Sequence, residues 1–192
     1  MLLAVVTALI LVTRADAAPP STTKYFVTGG GFAVDVAADD GTVATQGTLL
    51  GLNARAGQDP RVPYKTFLWF FGTRSDSQYP YIGVAEATVQ VSGMDSAHAT
   101  GTVSAVPLFG VGPAATIDVD ITLAGSGAVS ATTTTYTSGS PGSAYVNVLS
   151  QRSRAAAVTG TIAVDGTAAA TANALILGVT QGEFNVVAQP SR

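Results

Sequence analysis

Ile117-Asp118-Val119-Asp120-Ile121-Thr122-Leu123 decides the fold class. Apolar and polar residues alternate with a period of two, so one face of this segment is greasy and the other wet, as in a strand of an antiparallel sheet. The same rhythm recurs on both sides. Ala97, Ala99, Gly101, Val103 and Ala105 alternate with His98, Thr100, Thr102 and Ser104. Ala85, Ala87, Val89 and Val91 alternate with Glu86, Thr88 and Gln90, and the run Ala156, Val158, Gly160, Ile162, Val164 follows later. Turn signals fall between these runs at Asp40-Gly41, Ser92-Gly93, Gly125 to Gly127, Ser138 to Gly142 and Asp165-Gly166. This pattern predicts an all-β protein, an antiparallel β-sandwich or barrel. Ala168 to Leu177 reads equally well as a short helix, with Thr167 as cap and Gly178 as stop, or as a strand.

The halves are faintly alike. Val34-Asp35-Val36 matches Val119-Asp120-Ile121, Phe67 to Ser75 matches Tyr145 to Ser153, and Thr88 to Gly93 matches Thr161 to Gly166, in the same order. Two tandem β units, residues 18–108 and 113–190, are therefore weighed against one continuous β domain.

Composition sets the function classes. Hydrophobic residues are 47% of the 192 and charged residues only 11%, so a core can be buried and the surface is carried by Thr, Ser and Gly. The net charge is −3 with only two Lys, which leaves no basic stripe for phosphates and argues against nucleic acid as a partner. The absence of Cys excludes disulfides, thiolate metal sites and a cysteine nucleophile. Leu2 to Val12 is apolar except for Thr7, too short to span a bilayer and the right length for the apolar segment of a signal peptide. Ala15-Asp16-Ala17 follows, so residues 1–17 are expected to be removed after Ala17. A secreted or envelope-associated chain with no membrane span in its mature part is the expectation.

Val119-Asp120-Ile121-Thr122-Leu123-Ala124-Gly125-Ser126-Gly127 resembles the V-D-L-T-W-T-G-T-G stretch of small exported actinobacterial proteins of unknown function. Val158 to Thr167 resembles their later A-T-G-T-V-T-V-D-G-T stretch. Leu123 stands where that pattern has Trp. The resemblance implies an exported β protein and implies no activity.

No catalytic constellation is legible. His98 is the only histidine, on the Thr/Ser side of its strand, and no neighbouring carboxylate in sequence orients it. Asp118 and Asp120 point the same way and could help to hold Ca²⁺, the alternative being a solvated strand face. Glu86 is an outward carboxylate that the sequence pairs with nothing, whereas a glycosidase needs two. No cofactor is expected. Seven of the fourteen aromatics lie between Tyr64 and Tyr81. Phe67, Trp69 and Phe71 share one face of a strand and Leu68 and Phe70 the other, so the strand is expected to be central, with Trp69 buried. The alternative is that one face lines a groove for sugars or lipids. Tyr64, Trp69, Tyr79 and Tyr81 are the candidate ligand contacts, with Tyr79-Pro80-Tyr81 expected in an exposed loop. Thr132 to Ser138 reads as an edge strand entering a loop.

Three functions stay open: a non-catalytic extracellular binding module with an unknown ligand, a self-associating envelope protein, and a secreted polysaccharide or ester hydrolase.

Overall fold

A computed structural model describes residues 23–38, 41–57, 59, 61–110, 112–140 and 143–187. The expected signal peptide lies outside the described residues. Among these residues are eleven strands and no helix: β1 (Thr23–Ala37), β2 (Val43–Ala56), β3 (Lys65–Arg74), β4 (Tyr81–Glu86), β5 (Thr88–Ser92), β6 (Ser96–Pro107), β7 (Ala115–Gly125), β8 (Ser130–Ser140), β9 (Ser143–Val164), β10 (Thr167–Ala168) and β11 (Ala170–Val187). The segment that read as helix or strand is strand from Ala170 onward. Asp165 and Gly166, both at positive φ (51° and 81°), make a two-residue turn that pairs Val164 with Thr167.

Every pairing is antiparallel, and the strands form two layers. The first runs β8, the N-terminal part of β9, β11, β1, β2, β3, β4. The second holds β5, β6, β7, the C-terminal part of β9 and β10. β9 passes from one layer to the other: Ala155 pairs with Leu175 of β11, and the next residue, Ala156, pairs with Gly125 of β7. On the opposite side a short ladder, Tyr81 with Pro107 and Ile82 with Val106, joins β4 to β6. The ladders thus return on themselves, although the result is not a regular barrel.

The predicted alternations point where they should. Ile117, Val119, Ile121 and Leu123 are buried between the layers against Phe32, Val34, Leu49, Leu68 and Phe70. The run from Ala85 to Val91 keeps its apolar side on this core while the chain leaves β4 and enters β5, so one alternation serves two layers. Small residues let the layers approach: a Cβ on Gly51 would stand 2.9 Å from the Ala99 Cβ, and one on Gly30 would stand 2.1 Å from Leu123 Cδ1.

The other face of the first layer carries a second apolar cluster of Val27, Leu50, Leu52, Trp69, Leu177 and Val179. Consecutive strand residues point to opposite faces, so Leu68 and Phe70 enter the main core while Phe67 and Trp69 enter the second cluster. That accounts for the two-sided apolar character of β3 and for the burial of Trp69, which is 8% exposed. Phe71, expected on the same buried face, reaches the surface.

The main core draws on both halves of the chain. The matched segments do not occupy equivalent places. Phe67 to Ser75 and Thr88 to Gly93 begin in separate strands, β3 and β5, whereas their counterparts both begin in the single strand β9.

Candidate functional site

The chain turns from β4 into β5 at Ala87, where the two layers part. Thr66 at the start of β3 holds that corner: its hydroxyl donates to the Ala87 carbonyl, and the Ala87 amide donates to the Thr66 carbonyl at 3.3 Å. Beside it lies a groove of about 530 Å³ lined by residues 64–67 and 84–87. Its size is within the range of small-molecule sites. Phe67 and Glu86 stand directly opposite each other in the β3–β4 ladder, which sets an apolar ring and a carboxylate side by side.

Tyr64 enters this groove because the loop before β3 is held in shape. Gly57, at φ 85°, donates its amide to the Lys24 carbonyl at 2.7 Å. Asp59 Oδ1 accepts from the Arg61 amide at 2.9 Å and from Arg61 Nε at 3.0 Å. The Arg61 guanidinium and amide hold the Asp59 carboxyl below the usual carboxylate range. Behind Tyr64 is Arg55, whose guanidinium carbon lies 4.8 Å from the Tyr64 ring centre and 5.2 Å from that of Phe26. Arg55 Nε and the neighbouring Asn53 Oδ1 are buried with no hydrogen-bond partner among the described residues. Asn53 is the ladder partner of Thr66, so these polar atoms stand just behind the groove wall.

The four aromatic candidates do not converge. Tyr64 lines the groove at the start of β3 and is 42% exposed. Trp69 is in the second apolar cluster, its Nε1 unpartnered. Tyr79 is exposed beyond the far end of β3, with its ring so close to Gly110 that a Cβ there would be 2.7 Å away. The expectation that Tyr81 is an exposed loop residue is overturned. It opens β4, is 1% exposed in the main core, and donates its hydroxyl to the Pro113 carbonyl at 3.3 Å. A Pro-flanked Tyr reads as loop until the ladder with Gly72 and Pro107 is known.

His98 has a carboxylate after all: its Nε2 lies 3.0 Å from Asp120 Oδ1 on the adjacent strand β7. Sequence proximity offers no such partner, because the register that sets His98 opposite Thr122 and Thr100 opposite Asp120 joins residues 22 apart. Asp118 accepts from the Thr102 hydroxyl at 2.7 Å, so each aspartate is engaged by a β6 side chain. Among the described residues no three His, Asp or Glu side chains are grouped to hold a metal ion.

Arg55 and Lys65 carry no role in the sequence reading, and Phe67 is read there only as part of the apolar face of its strand. The one available signal was an arginine in the otherwise uncharged strand Leu49 to Ala56, and nothing local pairs it with Tyr64. No protein-family model matches the chain and no curated protein matches it, so function is argued from the geometry alone.

Proposed function

We propose that this protein is an exported, non-catalytic β module that binds a short polyhydroxylated ligand, an oligosaccharide, in the groove between Tyr64–Phe67 and Val84–Ala87. The observation that carries the reading is Tyr64, 42% exposed, backed by Arg55 and sharing its groove with Lys65 and Glu86. A sugar ring stacks its C–H face on an aromatic ring, while its hydroxyls need a donor and an acceptor close by. Lys65 offers the donor and Glu86 the acceptor. Export is supported by the Leu2–Val12 run and Ala15-Asp16-Ala17.

Binding is favoured over hydrolysis because Glu86 is the one carboxylate among the groove's lining residues. Acid–base cleavage of a glycosidic bond uses two carboxylates flanking it, about 5–10 Å apart.

The test is a glycan array followed by calorimetric titration of the best ligand. Tyr64→Ala is expected to weaken binding at least about tenfold, the loss of roughly 1.4 kcal/mol, with the melting temperature lowered only slightly, because one ring contact of Arg55 goes with it. No glycan bound by the wild-type chain, or equal binding by Tyr64→Ala, would reject the proposal. Turnover of a bound glycan that Glu86→Gln abolishes would make the protein a hydrolase instead.

A further inference from the structure

β8 (Ser130–Ser140) has one partner strand among the described residues, β9. Among the described residues nothing pairs with its other edge over eleven residues, and residues 131–138 are exposed. The other outer strands, β5 with five residues and β10 with two, are short. A long unpaired edge is a template for another strand, and proteins usually blunt it with charge, proline or a bulge. β8 has none of these. No charged residue occurs anywhere between Asp120 and Arg152, and the β8–β9 register runs unbroken from Ser130 to Ser140.

The sequence of β8 also says what would pair with it. Ser-Ala-Thr-Thr-Thr-Thr-Tyr-Thr-Ser-Gly-Ser reads nearly the same in both directions about Thr135. Ser130 mirrors Ser140, Ala131 mirrors Gly139, Thr132 mirrors Ser138 and Thr133 mirrors Thr137. An antiparallel pair of two such strands sets like beside like at every position except 134 and 136, where Thr faces Tyr. Threonine and serine pairs across strands are favourable, and Tyr136 would meet Thr134 of the second copy. A two-fold axis requires this kind of self-complementary patch. An uncharged edge also places no like charges face to face across the axis.

We infer that two copies of this chain associate through antiparallel pairing of their β8 edges, with the two-fold axis at Thr135, so that the first layer continues from one copy into the other. The association is closed, because each β8 has one free edge and the second copy covers it. Eleven residues a side is fewer than the 20–30 of a standard interface, so the dimer is reversible and dissociates on dilution.

Sedimentation velocity on the full chain, over concentrations from low micromolar upward, is expected to show a monomer–dimer equilibrium. Thr135→Lys sets two ammonium groups opposite each other at the axis and is expected to give monomer throughout. Gln90→Lys, on the short edge β5, should leave the dimer intact. Far-ultraviolet circular dichroism and Trp69 emission report whether each variant is folded. Because the chain lacks cysteine, a nitroxide can be placed at Thr133→Cys, Thr135→Cys or Thr137→Cys singly. The label-to-label distance should be shortest at 135. A wild-type chain that stays monomeric, including one that pairs only with an added extended peptide, overturns the inference. So does a dimer that survives in Thr135→Lys or whose shortest distance is not at 135.

Discussion

Arg74 and Arg55 stand at opposite ends of the β2–β3 ladder, and the fold uses them differently. Arg74 donates through Nε and Nη2 to the two oxygens of Asp76, each at 3.0 Å, and through Nη1 to Asp165 Oδ2 at 2.6 Å. Its guanidinium lies 5.5 Å from the Tyr81 ring centre. Asp165 in turn accepts the Thr116 amide at 2.8 Å. One side chain of β3 in the first layer is thereby tied to the β9–β10 turn and, through it, to β7 in the second. Arg55 rests between two rings and, among the described residues, meets no carboxylate within ion-pair distance. Arg154 braces the second layer's other end by donating to Asp95 at 2.7 Å, and Met94 lies near Gly178 there. Yet β1 and β2 run on past that brace to Phe26 and Arg55. The braced end holds the layers together, and the unbraced end leaves an aromatic ring and polar atoms available beside the groove.

The largest effect expected of this comparison is on stability. Arg74→Ala removes charge-assisted hydrogen bonds from a side chain that is only 18% exposed and leaves Asp165 without its cation. It should cost about 2 kcal/mol, since hydrogen bonds to charged groups contribute roughly 1.5–3 kcal/mol and the exposed carboxylates reduce that. Urea titration should show a lower midpoint at unchanged slope. A loss under about 0.5 kcal/mol would make the brace an ordinary surface ion pair and erase the contrast.

Arg55→Ala should act chiefly on binding. Its two ring contacts contribute about 0.5–1 kcal/mol each, so stability falls by about 1–2 kcal/mol at most, less whatever is regained by removing its unpartnered buried Nε. Glycan affinity falls with it, because Tyr64 loses the group that fixes its ring. Calorimetric titration beside urea denaturation separates the two. If Arg55→Ala unfolds the protein more readily than Arg74→Ala does, the assignment of one end to stability and the other to binding is inverted.

What could be read from the chain beforehand follows the same division. Strand identity and core faces were legible wherever one face is wet, as in Ile117 to Leu123, because a period of two has one physical reading. The double burial of β3 was legible from Leu68, Trp69 and Phe70 for a related reason: apolar residues on both faces of a strand require cover on both. Contacts that depend on register were not. The Arg74–Asp165 link joins residues 91 apart, and the His98–Asp120 contact depends on how β6 lies against β7. The groove was half legible. Tyr64 and Glu86 are each legible alone, but only the β3–β4 ladder, which sets Glu86 opposite Phe67 at the start of β3, brings both to one groove. Tyr81 failed for the same cause, since a residue next to proline looks like loop until its ladder partners are known.

The smallest effect is a pH dependence, and its sign follows from Asp76. The hydrogen bonds from Arg74 hold the Asp76 carboxyl below its ordinary value of 3.8. The same contact raises Arg74, first through its hydrogen bond to Asp76. An acid whose folded-state pKa is depressed binds its proton more readily in the unfolded chain. Its stabilisation is therefore fully present above the unfolded value and is lost as pH falls through the folded one. The Arg74 shift lies far above this window and does not contribute to it. Asp76 is mostly exposed, 55% at its side chain, so solvent screens the contact and the change is small. The stability difference between the wild-type chain and Asp76→Asn should be flat near neutral pH and shrink below about pH 4. In an Arg74→Ala background the same substitution should have no pH-dependent effect, because its partner is gone. A difference that persists there would mean that Asp76 is held by something other than Arg74, and that Asp165 alone makes the brace.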